Sequence, residues 1–226
     1  MFLKVLGSGS DGNCYLLNNN GRTLIIDVGI SMREIKTGLN FDLMQIDGII
    51  CSHKHMDHFK SVKDFEKMGF DVWKPFENAE NKKQSKQLGV FKVTCFDVPH
   101  DGIENRGFLI ECDGQKMLYL TDFEYCKYTF KNLNVNHILV ECNYIENMVD
   151  KNSNNYSHIL KGHAELNTTA NFIKENNTNN LKNVFICHLS KDNSNKRIMV
   201  NEILKCVNND CKVDVASKGK EWELWE

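Results

Sequence analysis

The strongest constraint in this chain is a contiguous segment, His53-Lys54-His55-Met56-Asp57-His58, that follows directly on the apolar run Gly48-Ile49-Ile50-Cys51. His53, His55, Asp57 and His58 are metal-seeking side chains, and no packing role calls for them together. In extended backbone, residues two apart project to the same side, so His53 and His55 can converge on one cation as the chain leaves a buried strand. Asp57 and His58 face elsewhere, on the turn into the next segment, close enough to hold a second cation beside the first. A chance grouping of exposed polar residues is the alternative, and it is rare for this pattern.

Metal sites are completed by residues distant in sequence, so His and Asp at strand ends come next. His100 follows Phe96-Asp97-Val98-Pro99, Asp122 follows Leu118-Tyr119-Leu120-Thr121, and His188 follows Val184-Phe185-Ile186-Cys187. A lone histidine at a strand end is as readily an ordinary loop residue; beside the His53 cluster, the three complete two coordination shells. The expected partition is His53, His55 and His100 on one ion and Asp57, His58 and His188 on the other, with Asp122 bridging. Imidazole and carboxylate donors suit Zn²⁺ or Mn²⁺, with Fe ions also compatible, and a catalytic site leaves positions open for water.

Other polar positions carry two readings each. Asp27 ends the buried run Ile25-Ile26, where a carboxylate needs a partner: it orients a ligand histidine or caps the following segment. The loop Gly7-Ser8-Gly9-Ser10-Asp11-Gly12-Asn13 is rich in backbone donors and hydroxyls; Ser8, Ser10 and Asn13 line a pocket or hold an anion, or the loop is a plain turn. Ser190 and Asn193, just past His188, contact substrate or belong to a polar loop. His163, before an expected helix, reads on its own as a surface histidine.

Short β-rich runs bounded by Gly, Asn and Asp fill the first third, at 2–6, 14–17, 23–27 and 48–51, with further strands expected at 71–73, 91–96, 108–112, 116–120, 138–141 and 184–187. Asn20-Gly21 and Asp113-Gly114 are tight-turn signals, because both supply residues tolerant of positive φ. Apolar spacing predicts helices over 31–39, 61–67, 124–130, 167–175 and 196–206. This order of elements fits two mainly antiparallel sheets packed together with helices on the outer faces, an α+β arrangement. With 226 residues, 41% of them hydrophobic, we expect a single domain over 1–226 with a sizeable core.

A formal net charge of -2 excludes a whole-molecule field that would draw the chain onto nucleic acid or an anionic membrane, so any polyanion site must be local. Nine cysteines without a Cys-x-x-Cys pair, several in apolar runs (Cys14, Cys51, Cys112, Cys142 and Cys187), suggest buried thiols in a reducing cytoplasm. No apolar stretch approaches membrane-spanning length.

The spacing His53-x-His55-x-Asp57-His58 resembles the signature of the metallo-β-lactamase superfamily. Gly7 to Cys14, Asp27-Val28-Gly29, Pro99-His100-Asp101, Leu120-Thr121-Asp122 and His188-Leu189-Ser190-Lys191-Asp192-Asn193 are similar to one branch, the YycJ/VicX (WalJ) type hydrolases. The resemblance spans almost the full length. It implies an αββα four-layer sandwich, a dinuclear site, and phosphodiesterase or nuclease activity of the DNA exonuclease type. It also implies that Glu141 and His163 correspond to the carboxylate and histidine that assist leaving-group departure in related ribonuclease Z enzymes. Ala164-Glu165-Leu166-Asn167 departs from relatives, which often carry a small hydroxyl residue after that histidine. No tRNA-clamping arm is evident.

Two divalent ions would lower the pKa of a shared water to roughly 7, giving a hydroxide nucleophile at neutral pH. Asp57, Glu141 and His163 are the expected catalytic side chains, with protonated His163 donating to the departing oxygen. The expected substrate is nucleic acid, DNA foremost; cyclic or modified nucleotides, as small phosphodiesters, are the competing class.

Overall fold

The computed structural model describes residues 1–153 and 156–224. The first elements are β1 (Phe2–Gly7), β2 (Cys14–Asn19), β3 (Arg22–Ile26), α1 (Met32–Gly38), β4 (Ile46–Ile50), α2 (Met56–Phe59), α3 (Val62–Lys67) and β5 (Val72–Trp73). Next come β6 (Ser85–Leu88), β7 (Phe91–His100), β8 (Ile103–Cys112), β9 (Gln115–Leu120) and β10 (His137–Glu141). The last are α4 (Tyr156–Gly162), α5 (Leu166–Asn176), β11 (Asn183–Cys187), α6 (Lys196–Leu204), β12 (Lys212–Val215) and β13 (Glu221–Glu223).

Alternation along the strands builds the layers. In β3, Leu24 and Ile26 turn to one side and meet Tyr15, Phe108 and Tyr119, while Ile25 turns to the other and meets Ile35 of α1 and Phe65 of α3. In β9 and β10, Tyr119 and Leu139 join that same central core, whereas Leu118, Leu120, Ile138 and Val140 pack under Phe172 and Ile173 of α5 and Met199 of α6. The result is helix, sheet, sheet, helix, the four-layer sandwich expected from the sequence.

The first sheet runs β13-β1-β2-β3-β4-β5 and the second β12-β11-β10-β9-β8-β7-β6. Both are mixed. Hairpin-linked neighbours are antiparallel, and Asn20-Gly21 and Asp113-Gly114 turn with positive φ as anticipated. The β3-β4-β5 and β9-β10-β11-β12 pairings are parallel and the other six pairings among the described residues are antiparallel, so each sheet is mixed while antiparallel pairing keeps the majority expected. Crossover connections between the parallel strands, helical except for the largely extended segment between β9 and β10, return the chain to the same edge, so successive strands point the same way. The carboxyl ends of β3, β4, β9, β10 and β11 therefore gather along one rim, and the ligand-type residues sit there.

The helix expected over 124–130 is absent. Its Glu-Tyr-Cys-Lys-Tyr-Thr-Phe sequence turns half-buried Cys126 and Tyr128 and buried Phe130 inward at a period of two, and Glu124 N donates to Pro99 O while Phe130 N donates to Asn176 Oδ1. These tertiary partners satisfy the backbone in extended form and override the weak helical pattern. Edge strands β6, β12 and β13 were not anticipated because their sequences are as polar as loops. All nine cysteines are free thiols, with Cys14, Cys51, Cys112, Cys142 and Cys187 buried. No helix among the described residues is long and apolar enough to cross a membrane.

Candidate active site

His53 leaves the end of β4, and His55 opens α2, whose first turn carries Asp57 and His58. Seating this turn requires Gly29: a Cβ there would lie 1.6 Å from the Asp57 carbonyl oxygen, so only glycine lets the Asp27-Val28-Gly29 segment pass against α2. Three strand-end residues, Asp27 (φ 57°), Asp122 (φ 49°) and His188 (φ 51°), hold left-handed backbone that costs energy for any residue but glycine. Their shared conformation turns each side chain off its strand into the rim.

The side chains converge as three overlapping sets of potential ligands that share Asp122: His53, His55 and His100 on one side, Asp57, His58 and His188 on the other, and a third that joins His188 to Glu141 and His163. Asp122 Oδ2 lies 3.3 Å from both His53 Nε2 and His58 Nε2 and 3.9 Å from His100 Nε2, while Oδ1 lies 2.7 Å from His188 Nδ1. Asp57 Oδ2 stands 3.4 Å from both His58 Nε2 and His188 Nε2. All the metal-ligand residues expected from the sequence are thus brought together.

Most of the histidine rings are held through Nδ1, while His55 Nδ1 meets His100 Nε2 at 3.1 Å. His58 Nδ1 donates to Asp27 Oδ2 at 2.7 Å, His100 Nδ1 to the Gly162 carbonyl at 2.7 Å, and His188 Nδ1 to Glu141 Oε1 at 2.8 Å. These partners only accept, so the proton must sit on Nδ1 and the Nε2 lone pair is left facing the cluster. His53 Nδ1 meets Ser52 Oγ at 3.0 Å. The buried Nε2 atoms of His53 and His188 have no hydrogen-bond partner, a costly condition that a bound cation relieves. On this donor chemistry the residues fit divalent metal ions.

Electrostatics divides the two sets. Burial pushes His53 and His55 below the ordinary imidazole value and His100 down to about 4, keeping these rings neutral as ligands must be. For His58 and His188, burial is the largest influence and opposes the charge, but the surrounding carboxylates together outweigh it, Asp122 and Asp27 at His58 and Asp122, Asp57 and Glu141 at His188, and both are raised. Burial likewise opposes charge on Asp57 and Asp122, yet the imidazoles around them hold both well below the usual carboxylate range. To hold a cation, His58 and His188 would have to give up the protons that these carboxylates favour.

Glu141, fully buried at the end of β10, splits its oxygens. Oε1 accepts from His163 Nδ1 and His188 Nδ1, both at 2.8 Å; Oε2 accepts from Phe123 N at 3.1 Å and Ala164 N at 3.0 Å. Burial resists its ionisation, but His163 pulls it below its ordinary value, and in return the carboxylate outweighs burial and raises His163. With 15% of its side chain exposed, His163 opens to solvent beside the cluster rather than on a remote surface.

Asp27 lies beneath the ligands. Besides His58 it accepts from Ser52 N (2.7 Å), Ser52 Oγ (3.0 Å) and Tyr119 OH (2.6 Å), the last reaching across from the opposite sheet. It orients a ligand histidine rather than merely capping a segment. Ser52 and Tyr119 were missed in the sequence, although a phenol in the aliphatic run Met117-Leu118-Tyr119-Leu120 is a signal, because a buried hydroxyl seeks a partner. Asn13 is buried below the cluster, its Nδ2 2.9 Å from His58 Nε2 and its Oδ1 accepting from Gly9 N. Ser8 Oγ accepts from His188 N at 3.1 Å, and Ser190 Oγ accepts from Asn193 N at 3.2 Å. Ser10 is exposed on its loop, with no hydrogen bond to the cluster.

Residues 7–79 match the Metallo-beta-lactamase superfamily model. The chain is 26% identical to the exodeoxyribonuclease WalJ of Streptococcus pneumoniae over 235 residues, covering 88% of this chain and 87% of that protein. It is 23% identical to the exodeoxyribonuclease YycJ of Bacillus anthracis over 237 residues, covering 91% and 89%. Among solved structures, the metallo-beta-lactamase fold protein YhfI from Bacillus subtilis superposes with a TM-score of 0.75 at 16% identity, covering 98% of each chain. The resemblance read from the motifs is borne out, and the fold is that of the metallo-β-lactamases.

Proposed function

We propose that this metallo-β-lactamase-fold protein is a phosphodiesterase with two divalent ions, acting on DNA as an exonuclease. The observation that carries the reading is the Asp122-centred pair of ligand sets with the Glu141–His163 dyad beside it. Its full-length likeness to two exodeoxyribonucleases supports the choice of substrate.

His53, His55 and His100 would hold one ion, Asp57, His58 and His188 the other, and Asp122 both. When bound, a pair of divalent cations supplies an activated water and neutralises charge growing on the phosphoryl oxygens. The donor set suits Zn²⁺ or Mn²⁺, and Fe is compatible. Glu141 fixes the proton of His188 on Nδ1, keeping Nε2 free as a ligand, and keeps His163 charged with Nε2 available to donate. Protonated His163 gives its proton to the oxygen of the departing nucleotide, and the adjacent carboxylate stabilises the charge until then. Asp57, open on one side, completes the ligand set next to the reacting phosphate.

The test is hydrolysis of a 5′-labelled DNA duplex, a single strand, an RNA oligomer and a panel of cyclic nucleotides by metal-reconstituted protein, with Asp57→Ala as control. Stepwise shortening of DNA, absent in the control, is the expected result. Turnover of cyclic nucleotides alone would replace the nuclease reading by a small-phosphodiester hydrolase.

A further inference from the structure

Two clefts flank the cluster, one at each end. At the His188 end, Leu189 and Ser190 lead into a cleft of about 340 Å³ lined by Ser8, Ser190, Ser217, Lys191, Lys196 and Lys218. Ser190 is two residues from His188, so their Cα atoms lie within about 7 Å of each other. Ser8, which accepts from His188 N, stands in the wall between cleft and cluster. No carboxylate lines this cleft. Lys191 and Lys218 pair with Asp11 and Glu34 at its margin, exposed pairs of a kind that contribute little and exchange readily. Lys196 reaches only Ser217 Oγ, at 3.4 Å, and has no carboxylate partner among the described residues. Hydroxyls with an uncommitted ammonium group are the chemistry that receives a phosphate.

The other end is built differently. His100 borders a cleft of about 250 Å³ whose cations all have carboxylate partners, Lys82 and Lys127 sharing Asp97 and Arg106 meeting Glu104. Its distinctive group is Tyr125, 52% exposed on the segment that leaves Asp122. An exposed ring beside a phosphodiester site offers a face on which a base stacks, whatever its identity.

We infer that a nucleic-acid strand crosses the cluster with a backbone phosphate in the Lys196 cleft and a base stacked on Tyr125. This rests on the phosphodiesterase reading and deepens it: a polymer strand, not a small phosphodiester, spans both clefts. The sequence assigned Ser8 and Ser190 to substrate, and this path gives them a phosphate to meet.

The experiment measures binding of a labelled single-stranded oligonucleotide by fluorescence anisotropy, with the full chain in chelator across a salt series. Hydrolysis of bis(p-nitrophenyl) phosphate by the metal-loaded protein is measured alongside. Lys196→Glu is expected to weaken binding at least about fivefold and to flatten the log–log salt slope by roughly 0.7 or more. Tyr125→Ala is expected to weaken binding about 5- to 100-fold with the slope unchanged. Both variants keep wild-type turnover of the small diester. Wild-type binding by either variant overturns the inference, as does loss of small-diester turnover in step with binding. Should the wild type hydrolyse no diester while both variants lose binding as described, the strand path stands and the catalytic reading falls.

Discussion

Replacing Glu141 by glutamine separates the tautomer role of this residue from simple packing. The side chains are nearly the same size, but the carboxylate accepts two backbone N–H groups on Oε2 and two imidazole N–H groups on Oε1. Glutamine has one acceptor oxygen. The Phe123 and Ala164 N–H groups cannot turn away, so the amide oxygen must face them and its NH₂ must face the two imidazoles. His163 can accept such a hydrogen only by moving its own proton from Nδ1 to Nε2, whereas His188 keeps its Nδ1 proton on Asp122 Oδ1, 2.7 Å away. The hydrogen bonds to Phe123 N, Ala164 N and His163 survive without charge assistance and the one to His188 is lost, roughly 1 kcal/mol per bond offset by no longer burying a charge. Stability should therefore fall by only about 1–3 kcal/mol. The functional effect is larger: His163 would lose the charge that makes it an acid, and His188 would lose one of the two carboxylates that hold its ring. Metal affinity at the His188 side should drop about 10- to 100-fold and turnover about 100-fold or more. Urea unfolding in chelator, metal titration by calorimetry and diester turnover measure the three quantities. Glu141→Gln protein with wild-type metal affinity and turnover within a few-fold would refute the tautomer argument.

Three other outcomes follow from single contacts. Gly29→Ala should cost more than about 3 kcal/mol in urea unfolding and reduce metal content, since its Cβ would have to displace the Asp57 carbonyl 1.6 Å away; a loss below 1 kcal/mol would mean that α2 is not seated by this contact. Tyr119→Phe removes a donor 2.6 Å from buried Asp27 and should destabilise by about 1.5–3 kcal/mol, with an unchanged unfolding midpoint as the contrary result. Buried His137, between Asn183 and Gln115, is lowered by burial to about 4. Its folded value lies below the unfolded one, so its contribution is complete above about pH 6.5 and is lost as pH falls through 4, about 3 kcal/mol in all. His137→Gln should lack that part of the acid dependence of stability; identical pH profiles for variant and wild type would contradict it.

The ligand residues were legible because they are contiguous at 53–58 and because His100, Asp122 and His188 each end an apolar run. The turns at Asn20-Gly21 and Asp113-Gly114 were legible for an equally local reason, their tolerance of positive φ. What brings the ligands together is not local. Parallel pairing of β3 with β4 and of β9, β10 and β11 leaves no mark in any one strand, and the sequence reading named none of these pairs. The left-handed backbone of Asp27, Asp122 and His188 is imposed by the rim; Asp and His tolerate it better than most residues, but nothing beside them marks these positions among the chain's other Asp and His residues. Segment 124–130 shows the converse failure: its apolar spacing suits a helix, but Pro99 and Asn176 take its backbone groups. The edge strand Glu221-Trp222-Glu223 is too short and polar to show a pattern, since only Trp222 turns inward, against Phe185.

The account turns on Asp122 serving two ions at once. The most direct measurement is metal content per chain after reconstitution and dialysis, for the wild type and for Asp122→Ala, with DNA hydrolysis followed on the same samples. The account predicts two equivalents in the wild type, loss of more than one in the variant, and loss of hydrolysis with them. One equivalent in the wild type, or two in a variant that still cleaves DNA, would contradict it.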